Sequence, residues 1–136
     1  MPITQVQIVS IPVSDQDRAR EFYVDVLGFT LLTDRQFAPD MRWVAVGPPA
    51  GHTAFTLVTW FPTMLPGSLQ GTVLESDDLE GDIAALTEKG VTVSELQEAP
   101  WGRFVTFADP DGNGIVLQAS APDAMNADVS EWDGHA

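Results

Sequence analysis

Residues 11–29 read IPVSDQDRAREFYVDVLGF, and the way this stretch starts, turns and stops sets the reading of the whole chain. An apolar run ends at Val13. Ser14 is placed to cap a helix, because its hydroxyl accepts from a free amide of the first turn. Asp15 and Asp17 follow at the positive end of the helix dipole. Ala19, Phe22, Tyr23 and Val26 recur at i, i+3, i+4 and i+7, which predicts a helix over 14–27 with one buried face. Gly28 is placed to take the left-handed position that ends it. The same grammar returns downstream. A strand pattern over 68–76 leads to Asp77 or Asp78 as cap, and Leu79, Ile83 and Leu86 line one helical face. Lys89 sits at the negative end and Gly90 stops the helix.

Strand chemistry fills the intervals at 3–13, 30–36, 41–47 and 53–61 in the first half, and at 91–96, 101–107 and 114–120 in the second. Pro39-Asp40, residues 47–51 and Asp109-Pro110-Asp111-Gly112-Asn113 punctuate them as turns. The order is β-α-β-β-β, twice. The expected fold class is α+β, with two βαβββ modules at about 3–61 and 68–120 inside one domain, 1–122. Residues 123–136 read as an acidic tail with no helix or strand period, although Trp132 argues for docking. Alternation puts Val9, Ile11 and Val13 on one side of the first strand and Val6, Ile8 and Ser10 on the other. Ala54, Thr56, Val58 and Trp60 share a face, as do Val116 and Gln118.

Composition removes several classes of function. Six basic residues face twenty acidic ones, a net charge of −14, so nucleic acid and anionic membrane surfaces are repelled. With no cysteine there is no disulfide and no zinc–thiolate site. No apolar run reaches the ~20 residues of a membrane span, and no signal peptide is evident at the N-terminus. A cytoplasmic location is the expectation. Hydrophobic residues make up 44% of the chain, enough for a core.

Val13-Ser14-Asp15, Phe22-Tyr23, Leu27-Gly28-Phe29 and, far downstream, Asp109-Pro110-Asp111-Gly112-Asn113 form an ordered set. The set resembles the vicinal oxygen chelate superfamily, which includes glyoxalase I, the bleomycin-resistance proteins, the fosfomycin-resistance enzymes and extradiol dioxygenases. The resemblance spans roughly residues 3–120. It implies two βαβββ modules forming a curved mixed sheet around a cleft, often in a dimer. In metal-using members the ligands come from the first and last strands of each module. By that resemblance the positions fall on Ile8, Thr56, Gly71 and Val116, and none of these is a carboxylate or imidazole. Neighbouring registers offer only Gln7, Ser10, Gln70 and Gln118. The two histidines, His52 and His135, lie in a loop and in the tail. No metal, no cofactor and no catalytic residue is therefore assigned.

The side chains left to bind a ligand are Ser10, Trp43, Thr56, Trp60, Glu75, Trp101, Arg103, Phe104 and Gln118. Flat rings bury small molecules with little entropy lost, Arg103 suits a carboxylate or phosphate, and the hydroxyls and amide supply neutral hydrogen bonds. Each ring also reads as core or dimer interface, and Arg103 as the partner of an acid. Three functions stand. The first is a metal-free small-molecule binding protein of the glyoxalase/bleomycin-resistance type that sequesters an aromatic or cationic compound. The second is a metal-dependent lyase, isomerase or dioxygenase resembling glyoxalase I. The third is a non-catalytic dimeric interaction domain. The leading reading is not an enzyme, and the expected assembly is a homodimer.

Overall fold

A computed structural model describes residues 1–121; the tail with Trp132 and His135 lies outside the described residues. The elements run β1 (Ile8–Pro12), α1 (Gln16–Glu21), a π-helical turn (Phe22–Val26), β2 (Thr30–Ala38), β3 (Met41–Gly47) and β4 (Ala54–Val58). They continue as β5 (Thr72–Glu75), α2 (Leu79–Glu88), β6 (Gln97–Ala99), β7 (Gly102–Ala108) and β8 (Gly114–Ser120). This is βαβββ twice, in the α+β class. The first sheet has strand order β1-β4-β3-β2 and the second β5-β8-β7-β6. In both, the first strand of the module runs parallel to the last, β1 with β4 and β5 with β8.

By contacts the chain divides into two compact units. The first comprises Met1–Gly71 with Ala108–Gly114, and the second Thr72–Phe107 with the residues from Ile115 on. In the first unit α1 packs on β3 and β4. Ala19, Phe22 and Tyr23 are buried there, with Ile11, Val44, Val46, Phe55 and Leu57. Phe29 stacks on Phe55, with ring centroids 6.2 Å apart. Each buried Val, Leu, Ile or Phe side chain among these is worth about 1.5–3 kcal/mol. The second unit buries Leu79 and Leu86 of α2 with Val105, Phe107, Ile115 and Leu117.

Three local expectations are corrected. Asp15, not Ser14, caps α1, its carboxylate accepting from Arg18 N at 3.1 Å. Ser14 is drawn away because its hydroxyl donates to Asp111 Oδ1 at 2.6 Å. The single helix expected over 14–27 changes to a π turn at Phe22, where the Phe22 carbonyl accepts from Leu27 N at 3.1 Å. The strand expected over 91–96 forms instead as the short β6. There Thr106 N donates to the Ser94 hydroxyl at 2.8 Å. A serine side chain occupies a place in the ladder that backbone would fill.

The turn between β7 and β8 belongs to the first unit, and its centre is Asp109, 5% exposed. Oδ2 accepts from Tyr23 Oη and from Asn113 Nδ2, both at 2.8 Å. Oδ1 accepts from the amides of Asp111 and Asn113, both at 2.9 Å. Four donors fill the carboxylate's acceptor sites. Asn113 also donates to the Pro12 carbonyl and accepts from Leu69 N. Burial, then the charge of Asp109, its hydrogen bond and the charge of Asp111 push the Tyr23 phenol far above its ordinary value.

Asp109→Ala orphans four donors and is expected to cost more than about 3 kcal/mol, and Tyr23→Phe about 1.5–3 kcal/mol, by urea unfolding. Tyr23 is the chain's one tyrosine, so an alkaline titration reads it alone. A phenol with a raised folded pKa contributes stability below the unfolded value of about 10 and loses it as pH rises above that. Tyrosinate absorbance should therefore grow only as the protein unfolds. Normal ionisation near pH ~10 with the fold intact would contradict the buried pair.

Candidate functional site

Strand register assigns the first unit's candidate residues to one sheet face. Ser10 pairs with Thr56, and Ala45 with Thr56. Continuing the antiparallel register puts Trp43 opposite Val58, on the face shared by Thr56 and Trp60. Arg35 pairs with Trp43 and joins the same face. The opposite face, with Ile11, Val44 and Leu57, is the one α1 covers.

On the face away from α1 the rings form a ladder. Trp43 and Trp60 stack with centroids 6.0 Å apart and planes at 25°. Phe37 meets Trp43 edge-on at 6.5 Å, and Phe61 follows Trp60 at 6.0 Å. Both tryptophans are half-buried, while Phe37 and Phe61 are 59% and 45% exposed. The Arg35 guanidinium lies 5.2 Å from the Phe37 ring centre. Thr56 is fully buried and its hydroxyl is 3.2 Å from that of Ser10, so Thr56 is spent inside the sheet.

In the second unit Glu75 pairs with Gln118. Asp109 N donates to the Asn113 carbonyl, and Ala121 N to the Trp101 carbonyl. These two bonds keep the same offset between β7 and β8, which puts Phe104 opposite Gln118. Glu75, Gln118 and Phe104 thus make a row across three strands on one face. Gly102 has φ 145°, and a Cβ there would overlap the Ala119 carbonyl oxygen. The turn of backbone at this glycine lets Trp101 stack on Phe104, at 6.4 Å and 16°. Trp101 is 54% exposed.

Arg103 has the opposite strand parity, shared with the buried Val105 and Phe107, and it is ion-paired to Glu80 of α2. That bond to Glu80, with Glu80's charge, raises the guanidinium's pKa. Glu75 is held by Ser120 N at 2.9 Å, by Ser120 Oγ at 2.7 Å and by Gln118 Nε2 at 3.3 Å. Burial pushes its pKa up, and these hydrogen bonds outweigh it, holding the carboxyl below its ordinary range.

The residues at the family's metal positions do not fit a metal. Ile8 is diagonal to Thr56 across the β1–β4 pair, and Gly71 has the same relation to Val116 across β5 and β8. The repeated offset supports the placement of all four, yet they offer two aliphatic side chains, a glycine and a committed hydroxyl. Among the described residues no three His, Cys, Asp or Glu side chains gather in a group that would hold a metal ion. The described residues also contain no helix long and apolar enough to cross a membrane.

Sequence reasoning missed Phe37, Phe61 and Arg35. Arg35 was within reach, because it pairs with Trp43 across the hairpin, whereas Phe37 falls at an irregularity of that pairing. Phe61 was hidden by its place at the start of the linker, residues 61–67, which joins the two modules.

A family model described as the Glyoxalase/Bleomycin resistance protein/Dioxygenase superfamily matches residues 5–117. TnmS3, an antibiotic binding protein from Streptomyces sp. CB03234, is similar at 48% identity and TM-score 0.85, covering 89% of this chain and 99% of that one. A member of the same superfamily from Sphaerobacter thermophilus DSM 20745 has 36% identity and TM-score 0.81, covering 88% and 100%. YetH, an uncharacterized protein of Bacillus subtilis (strain 168), is 32% identical over 120 residues, 85% of this chain and 98% of that protein.

Purified protein is expected to carry no stoichiometric divalent metal by elemental analysis. One tightly held zinc, nickel, iron or manganese ion per chain would overturn the donor-set argument.

Proposed function

This chain belongs to the Glyoxalase/Bleomycin resistance protein/Dioxygenase superfamily, and from that premise we propose that it is a metal-independent binding protein that sequesters a flat aromatic small molecule. The observation that carries this reading is the Phe37–Trp43–Trp60–Phe61 ladder, on the sheet face opposite the one that α1 covers. A stacked, half-exposed ring series offers π-faces to a planar ligand. The absence of anionic or imidazole donors at the family's metal positions on these strands favours binding over metal-assisted chemistry. Similarity to an antibiotic binding protein supports an antibiotic-like ligand. Among the described residues no nucleophile–base pair is assigned on either face, and the buried Asp109 is saturated by its four donors.

A homodimer is part of the proposal. β1 is the edge strand of its sheet. Ile3, Val6 and Ile8 along it and its lead-in are 77%, 62% and 40% exposed. An apolar free edge favours a partner.

A Trp side chain buries ~150–250 Å², and at ~25 cal/mol per Å² even partial coverage exceeds an exposed cation–π contact of ~0.5–1 kcal/mol. Trp43→Ala is expected to weaken binding of a planar aromatic ligand by about tenfold or more, with only a modest effect of salt. The ligand should change intrinsic tryptophan fluorescence. Tight binding with unchanged emission, retained in Trp43→Ala, would place the ligand elsewhere. Light scattering at micromolar concentration should give twice the chain mass, and a monomer would refute the dimer.

A further inference from the structure

Glu75 stands out among the acids of the described residues. Three donors fix its carboxylate on the same sheet face as Phe104, and none of the ion pairs among the described residues includes it. Oε1 accepts from the Ser120 hydroxyl and the Gln118 amide, while Oε2 accepts from Ser120 N alone. A carboxylate oxygen takes about two hydrogen bonds, so Oε2 keeps an open site. The side chain is exposed, and its hydrogen bonds hold it ionised. Charge without a counter-ion, fixed in direction, is what a recognition group needs and what an incidental surface acid lacks.

The geometry supplies the rest of the ligand. β5, β8 and β7 are consecutive in the sheet, so Glu75 and Phe104 sit two strand spacings apart, roughly 9–10 Å. Trp101 stacked on Phe104 provides an aromatic shelf at that distance. We propose that this face of the second sheet selects a planar aromatic compound bearing a protonated amine on a short arm, the ring against Phe104 and Trp101 and the ammonium donating to Glu75. The inference rests on the aromatic-ligand reading above and adds its charge and reach.

The probes are an aminopropyl naphthalimide, cationic at neutral pH, and its N-acetylated counterpart, which is neutral. Dissociation constants are measured on full-length protein at physiological salt, where exposed charges beyond ~8 Å are largely screened. Wild type is expected to bind the amine about tenfold or more tightly than the acetamide, as one charge-assisted hydrogen bond allows. Glu75→Gln should reduce that preference to within about twofold. Glu80→Gln removes the same charge from α2 and should keep the preference. Thermal unfolding checks that both variants fold. If Glu75→Gln does not fold, Ser120→Ala keeps the carboxylate, removes one of its donors, and should lower the preference by a smaller factor. Equal binding of both probes by wild type, a preference that survives in Glu75→Gln, or an equal loss in Glu80→Gln would overturn the inference while the aromatic-ligand reading stands. Binding of neither probe would overturn both.

Discussion

A buried carboxylate must find donors or become a liability, and Asp109 finds four. Three come from the turn that carries it, and the fourth is the phenol of Tyr23, brought inward at the π turn that follows α1. Because the partners lie far apart in sequence, the Asp109–Asn113 turn becomes part of the first unit although β7 and β8 on either side belong to the second. Asn113 extends the network to the Pro12 carbonyl and to Leu69 N. Asp111 holds Ser14, and Arg18 beyond it. The end of β1, the start of α1 and the linker therefore converge on one short turn. Pro12 is also the last residue of the β1–β4 pairing. The strand pair that carries Ser10 and Thr56 is pinned at its end by this network.

What the sequence made legible follows from which forces are local. The repeat of βαβββ, the bounds of β3 and β8, Gly28 and the Asp78 cap of α2 all rest on period, propensity and capping within a few residues. Ser14 and Asp15 show where that stops. Both are good caps, and a contact almost a hundred residues away decided between them, since Asp111 claimed the Ser14 hydroxyl. The 91–96 segment shows a second limit. Val91-Thr92-Val93 alternates as a strand should, but at Ser94 the hydroxyl takes the Thr106 amide while Ser94 N donates to the Thr106 carbonyl, and regular pairing is limited to Gln97–Ala99.

The candidate site was legible as a residue list and not as an arrangement. Strand parity put Trp60 with Thr56, yet Trp60 lies beyond the end of β4, and its stack on Trp43 is what holds it beside that face. Parity also separates Arg103 from Phe104, and the ion pair with Glu80 follows from the face on which α2 packs. The stacking of Trp101 on Phe104 was not available from alternation, since residues three apart in a strand lie on opposite sides. It depends on the backbone turn at Gly102, where no other residue fits against Ala119. The ladder that includes Phe37 depends on a β-hairpin register with two irregularities, between Leu31 and Thr33 and between Gln36 and Ala38. No pattern in the sequence announces those shifts.

The two sheet faces share one physical property, which is that the groups proposed to bind a ligand are positioned in advance. Each ring of the first ladder already rests on a neighbour, so a ligand arriving there freezes little side-chain motion and more of its burial energy appears as affinity. Glu75 is fixed in the same sense by hydrogen bonds, and its direction is set before any cation arrives. The net charge of −14 does not substitute for that arrangement. A diffuse field raises the local concentration of cations of every kind and is screened by salt, whereas a fixed carboxylate beside an aromatic shelf distinguishes one cation from another by shape. A fold whose metal-ligand positions hold Ile8, Thr56, Gly71 and Val116 loses the one interaction strong enough to dominate recognition alone. Many weaker contacts must then act together, and they add only where the scaffold holds them still.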